Sequence, residues 1–190
     1  MGRLRIIAGG LGGRRIEVPS GARVRPTAER VREALFSIVG AAVRDARVLD
    51  AYSGSGALGF EALSRGARSV VFLESDRATL GVLRANAARL GVEDRSSFLL
   101  GPAAQSLRGG RGAGPFDLIL ADPPYAAGQA ERFLPLAAER LAPGGRIVVE
   151  RETGREPPDP RPFGLERFRT ARYGGSSLDL YRLESAGAAP

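Results

Sequence analysis

The sequence predicts an α/β domain on a mostly parallel, doubly wound sheet, closed by an antiparallel C-terminal strand pair and preceded by a small β-hairpin. Three observations carry that expectation. The chain has 190 residues, enough for one domain with a sizeable core but not for two. From residue 46 short apolar runs alternate with segments of helical periodicity, and strands separated by helices imply crossovers and a parallel sheet covered on both faces. Near the end, two apolar segments flank Tyr173-Gly174-Gly175, the pattern of an antiparallel pair at a sheet edge.

The hairpin comes first. An apolar run from Leu4 to Ala8 is followed by Gly9-Gly10-Leu11-Gly12-Gly13 and a second run around Ile16 and Val18. Pro19, Ser20 and Gly21 then break the chain. Thr27 is placed to cap a helix that gathers Val31, Leu35, Ile38 and Val39 on one face and leaves Glu29 and Arg32 outside. Strands follow at Arg47 to Asp50, Ser69 to Glu74, Ser96 to Leu100, Phe116 to Ala121 and Arg146 to Glu150. Helices are expected near 57 to 65, 76 to 90 and 128 to 141, the last stopped by Pro143-Gly144-Gly145. The run from Pro157 to Pro162 is a stiff connector to the apolar segments Leu165 to Thr170 and Leu178 to Leu183, and the tail from Ser185 is expected to fray. This divides the chain into an arm, 1–26, and a main domain, 27–190.

What the chain lacks narrows its chemistry. With no Cys and no His it has no thiolate nucleophile, His-based triad or imidazole proton shuttle, and no metal site is expected. Catalysis must therefore run on carboxylates, backbone dipoles, hydroxyls and a borrowed cofactor. No apolar stretch approaches the length of a membrane span and the start does not read as a signal peptide, so a soluble, cytoplasmic protein is expected. The formal charge of +7 comes from 28 basic residues, all Arg, and residues 1 to 32 alone carry net +6. A basic arm at the N-terminus suits phosphate contacts, although a merely solvated arm has the same composition.

Ligands of such sheets bind at the carboxyl ends of the strands, and two motifs stand there. After Val48-Leu49-Asp50 the chain reads Ala51-Tyr52-Ser53-Gly54-Ser55-Gly56-Ala57-Leu58-Gly59, a G-x-G-x-x-G loop opening a helix. Glu74, twenty residues after Gly54, can accept hydrogen bonds from ribose hydroxyls. This fits a nicotinamide cofactor as well as S-adenosylmethionine. Asp50 favours the latter, because a carboxylate at the strand tip suits the ammonium of a methionine moiety and repels a pyrophosphate.

The second motif is Asp122-Pro123-Pro124-Tyr125, delivered to the same edge by the strand ending at Ala121. It suits methylation of an amino group conjugated to a π system, whose delocalised lone pair makes it a poor nucleophile. The Asp122 carboxylate and the Pro123 carbonyl can accept its N–H bonds and direct the lone pair, while the prolines hold the backbone rigid. Tyr125 can stack on the planar group. No strong base is required, since the nitrogen becomes acidic once alkylated.

These motifs, with Arg25-Pro26-Thr27, Arg30 to Phe36, Glu61 to Ala67 and the Tyr173-Gly174 ending, resemble the bacterial guanine-N2 methyltransferases of small-subunit ribosomal RNA, the RsmD-like family, over about residues 3 to 183. The resemblance implies a Rossmann-like class I methyltransferase domain, S-adenosylmethionine as donor, and transfer to the exocyclic amine of one guanine in 16S rRNA within an assembling or assembled small subunit. It also implies cofactor contacts at Asp50, Tyr52, Ser53, Gly54, Gly56, Glu74, Ser75 and Ala103, with Asp122 to Tyr125 at the target base. RNA contacts are implied at Arg3, Arg5, Arg14 and Arg25. One departure is Gly101-Pro102-Ala103, where the family usually has an acid near the adenine. Pro102 has neither a side-chain acceptor nor an N–H, so adenine recognition falls to backbone around Ala103. Two other readings stay open: an amino-methyltransferase acting on DNA adenine or protein glutamine, and a non-catalytic RNA-binding module.

Overall fold

The computed structural model describes residues 2–19, 26–124 and 128–184; Ser20, Gly21, Arg25, Tyr125 and the tail from Ser185 lie outside that set. The hairpin pairs β1 (Gly2–Arg5) antiparallel with β2 (Arg15–Val18). Helix α1 (Pro26–Val39) leads into the parallel strands β3 (Arg47–Asp50), β4 (Ser69–Glu74), β5 (Ser96–Leu100) and β6 (Phe116–Ala121). Between and after them come α2 (Ala57–Ser64), α3 (Arg77–Leu90), α4 (Ala103–Arg108) and α5 (Gln129–Ala138). β7 (Leu141–Glu152) is parallel to β6, and β8 (Leu165–Tyr173) and β9 (Ser176–Leu183) close the sheet antiparallel.

The seven strands run in the order β5-β4-β3-β6-β7-β9-β8. Strand order therefore reverses between β3 and β6, the switch point at which α/β sheets bind ligands. Each face of the sheet has its own core. On one, Phe36, Phe60, Leu83 and Leu90 from α1, α2 and α3 pack on Val48, Val70 and Phe72, joined by Ile6 and Ile16 from the hairpin region. On the other, Leu107, Phe133 and Leu134 from α4 and α5 cover Leu49, Ile119 and Val149. The mostly parallel sheet, the antiparallel closing pair and the N-terminal hairpin are those expected from the sequence.

Four local expectations are corrected. The helix expected to run to 141 ends at Ala138, and Pro143-Gly144-Gly145 is a bulge inside β7 instead of a helix stop: β6 pairs Phe116 with Leu141 and then Leu118 with Arg146. Helix α4 was not foreseen. α1 starts at Pro26, so Thr27 lies within the helix instead of before it. Arg32, placed outside by the helical pattern, is only 4% exposed; it donates to the Arg5 carbonyl at 2.7 Å and lies 3.8 Å from Glu61.

Candidate active site

A cleft of about 560 Å³ opens at the β3/β6 switch point, within the size range of small-molecule sites. One wall is the loop after β3, with Tyr52 and Gly54; the floor holds Glu74 and Ser75 at the end of β4; the far wall carries Ala103; Asp122 and Pro124 close the remaining side. The two motifs separated by more than sixty residues in sequence thus share one cavity, because β3 and β6 pair in parallel with Asp50 opposite Leu120.

The loop is held by its own hydrogen bonds. The Gly54 N–H donates to Glu74 Oε2 at 2.8 Å, and the Asp76 N–H and Ser75 hydroxyl donate to Oε1 at 2.9 and 3.2 Å. Glu74 is thereby fixed in orientation, with one acceptor site on Oε2 left open. Ser53 is buried and ties the loop to β4: its hydroxyl donates to the Asp50 carbonyl at 2.8 Å and accepts from the Leu73 N–H at 2.9 Å. Two glycines are fixed by space. A Cβ on Gly59 would lie 2.3 Å from the Phe72 ring, and one on Gly56, at φ +81°, 2.5 Å from Phe60. Gly54 differs: at φ +51° its Cβ would meet nothing within 4 Å, so the backbone here is open to an approaching ligand.

Asp50 lies beneath the loop instead of on the cleft wall. It is 1% exposed; Oδ2 accepts from the Gly59 N–H at 2.9 Å, and Oδ1 has no hydrogen-bond partner among the described residues. Burial pushes its carboxyl up to about 7, partly opposed by the Gly59 N–H and reinforced by the charge of Glu74. The native state therefore holds a proton that the unfolded chain releases, so this contribution to stability is present below the ordinary carboxylate range and is lost as pH rises through about 7. Asp50→Asn removes that window. Its Tm should vary less than the parent's between about pH 4 and about pH 8, and equal pH profiles would contradict the role given to burial.

Tyr52 lies edge-on to Phe133, centroids 5.5 Å apart, and burial pushes its hydroxyl up to about 12, so it stays protonated. Pro123 is buried while Asp122 and Pro124 are exposed to the cleft. Gly101 and Pro102, the departure noted in the sequence, also line it, as does Gln129 at the start of α5, which the sequence did not single out. Position offered one signal for Gln129: it opens the helix that follows the Asp122-Pro123-Pro124 segment.

A family model described as Conserved hypothetical protein 95 matches residues 4–182. The chain belongs to this family. A relative named ribosomal RNA small subunit methyltransferase D, from Escherichia coli strain K12, is 36% identical over 98% of this chain and 93% of its own length. Its namesake from Haemophilus influenzae is 34% identical over 95% of this chain and 94% of its own. The solved structure of yhhF from Escherichia coli has a TM-score of 0.83 at 34% identity, covering 97% of this chain and 99% of that one.

In this member of the Conserved hypothetical protein 95 family the hairpin is bolted to helices α2 and α3, beside the glycine loop. Glu61 of α2, fully buried, accepts from the Ile7 and Ala8 N–H groups at 2.8 and 3.2 Å and from Arg65 Nε at 2.7 Å. Ser64 takes the Leu11 N–H at 3.0 Å and donates to the Ala8 carbonyl. Gly9, at φ +86°, is required there, since a Cβ would lie 1.9 Å from the Ser64 carbonyl oxygen. Asn86 of α3 accepts from the Glu17 N–H and donates to the Glu17 carbonyl, both at 2.9 Å.

The basic residues of the hairpin divide by task. Arg14 donates to the carbonyls of Leu90, at 2.8 Å, and Arg89, closing the C-terminus of α3. Arg5 pairs with Glu29 at 3.1 Å. Arg3 and Arg15 are exposed, and both line the two surface grooves that flank the hairpin. Arg15 was not singled out in the sequence. Arg14→Ala should lower stability by about 1 kcal/mol, the loss of a typical hydrogen-bonding group, read as a shifted denaturation midpoint; an unchanged midpoint would show that the contact contributes nothing.

Proposed function

We propose that the protein transfers the methyl group of S-adenosylmethionine to the exocyclic N2 amine of one guanine in 16S ribosomal RNA. One observation carries this reading: the glycine loop with its ribose-binding acid and the Asp122-Pro123-Pro124 segment line a single cleft at the switch point of the sheet. The named relatives, similar over nearly the whole chain, support an rRNA acceptor over DNA or a protein side chain.

The residues fit the cofactor. Gly54 leaves the backbone approachable and Glu74 keeps one acceptor site for a ribose hydroxyl, while Asp50, behind the wall, holds the loop through the Gly59 N–H. Gly101, Pro102 and Ala103 line the wall assigned to the adenine. When bound, the cofactor supplies a methyl carbon on a positively charged sulfur.

The protein's own part is positioning and acceptance of protons. Asp122 and the Pro123 carbonyl accept the amine N–H bonds and turn its lone pair toward the cleft, where the loop holds the donor in reach. The proton lost from the alkylated nitrogen passes to Asp122 or to water. Tyr125 is assigned the stacking of a base taken out of its helix. Asp122 and Tyr125 are both present, which favours an enzyme over a binding module.

RNA is assigned to the hairpin face. Replacing Arg3 and Arg15 together should weaken rRNA binding and reduce its log–log salt slope by about 1 to 2; an unchanged slope would remove the hairpin from the interface. Label transfer from S-adenosylmethionine to small subunits from cells lacking the modification tests the reading as a whole.

A further inference from the structure

Among the described residues one large apolar side chain stands exposed, Phe168, at 37%. It lies on β8, the edge strand of the sheet. The register with β9 passes from Arg167 opposite Tyr181 to Arg169 opposite Leu180, so Phe168 is the extra residue of a β-bulge. Bulges re-aim side chains. Here two guanidinium groups approach the ring, Arg182 at 5.3 Å and Arg146 at 6.0 Å from its centroid.

Sheet register places this cluster on a definite side. Arg146 precedes Val148 by two residues and Arg182 follows Leu180 by two; Val148 and Leu180 belong to the core that also contains Ile6 and Ile16. Arg169, opposite Leu180, points the same way. α1 lies between the two regions: Arg5 and Glu29 join it to the hairpin, Arg146 donates to its Val39 carbonyl at 3.2 Å, and it packs on β8. The hairpin and the Phe168 cluster therefore belong to one side of the molecule. The cluster stands about 20 Å from Asp122, counting three strand spacings across the sheet and about four residues along it.

Arginines on an edge strand discourage pairing with other sheets, which accounts for exposed Arg167 and Arg172 but not for an exposed phenylalanine. An aromatic face flanked by guanidinium planes stacks unpaired bases, while guanidinium groups beside it hold phosphates. β8 carries three arginines against one acid, Glu166, already paired with Arg182. We propose that Phe168, with Arg146, Arg169 and Arg182, is a second RNA-contacting surface that takes an unpaired, looped nucleotide of the substrate RNA away from the target base. The inference rests on the rRNA methyltransferase reading and adds a docking contact to it.

The test compares parent protein, Phe168→Ala, Arg169→Glu and the Arg3/Arg15 double variant for binding to protein-free 16S rRNA and to small subunits over a salt series, with S-adenosylmethionine affinity as control. Thermal melts confirm that each exposed substitution leaves the fold intact. Phe168→Ala should weaken binding to protein-free rRNA by about five-fold or more. Arg169→Glu should also lower the salt slope, and both should leave cofactor affinity unchanged. Weakening on subunits alone would assign the surface to a ribosomal protein and overturn the proposal. No effect on either substrate, with the hairpin variant impaired, would overturn it while leaving the proposed function intact. Failure of the parent protein to bind RNA at all would sink both.

Discussion

Asp122→Ala is expected to reduce methyl transfer by about 10²- to 10³-fold or more while S-adenosylmethionine affinity stays within a few-fold. Asp122 follows β6, two strands across the sheet from Glu74 at the end of β4, so its removal is expected to take an acceptor from the amine and not from the cofactor. Preorganised groups aimed at developing charge contribute effects of that size when single members are removed. Asp122→Asn, which keeps one acceptor oxygen, should fall between parent and Ala. Because Asp122 is exposed, the fold should survive, and a thermal melt checks this. A collapse of cofactor binding in Asp122→Ala would show that the residue serves the donor instead of the acceptor.

The largest structural effect is expected at Glu61. Its carboxylate has no exposed surface and receives two hairpin N–H groups and Arg65, with the buried Arg32 guanidinium 3.8 Å away. Burial, helped by the charge of Arg65, holds the Arg32 guanidinium below its usual range, and Glu61 is the main group opposing that shift. Glu61→Ala leaves a buried cation and two backbone donors uncompensated, a loss of about 3–5 kcal/mol. For a domain of this size the Tm should fall by roughly 10 °C. Glu61→Gln retains an acceptor for the hairpin N–H groups and should cost less. A Tm within a degree or two of the parent for Glu61→Ala would mean that the hairpin is held by its apolar contacts at Ile6 and Ile16 alone.

Legibility in the sequence followed the range of the interactions involved. The glycine loop, Asp50 and Glu74 were readable because each sits at a strand end whose period and breaker residues are local. The same holds for the antiparallel pair, where Tyr173 opposes Ser176 across a two-residue Gly174-Gly175 turn. α4 was missed because six residues after a proline display less than two turns of any period. β7 was shortened because Pro143-Gly144-Gly145 reads locally as a stop, whereas pairing with β6 on both sides of the bulge carries the strand through it. Glu61, Ser64 and Asn86 gave no local sign of their roles, since their partners lie 53 to 69 residues away. Arg32 looked like a solvated charge for the same reason: the acid that accompanies it into the core is on another helix.

The residues proposed for the site divide by depth. Tyr52, Gly54, Glu74, Ser75, Ala103 and Asp122 line the cleft, whereas Asp50, Ser53 and Gly56 lie behind its wall and shape it. Strand position shows which residues reach the edge of a sheet; which of them face the cavity depends on packing against α2 and β4.

The most direct measurement is the identity of the product. Purified protein, S-adenosylmethionine and small subunits from cells lacking the modification are incubated, and the rRNA nucleosides are then resolved by mass spectrometry. N2-methylguanosine at a single 16S position, absent with Asp122→Ala, is the result expected. A methylated adenine, a methylated protein, or no product despite confirmed cofactor binding would contradict the assignment of guanine N2 as the acceptor.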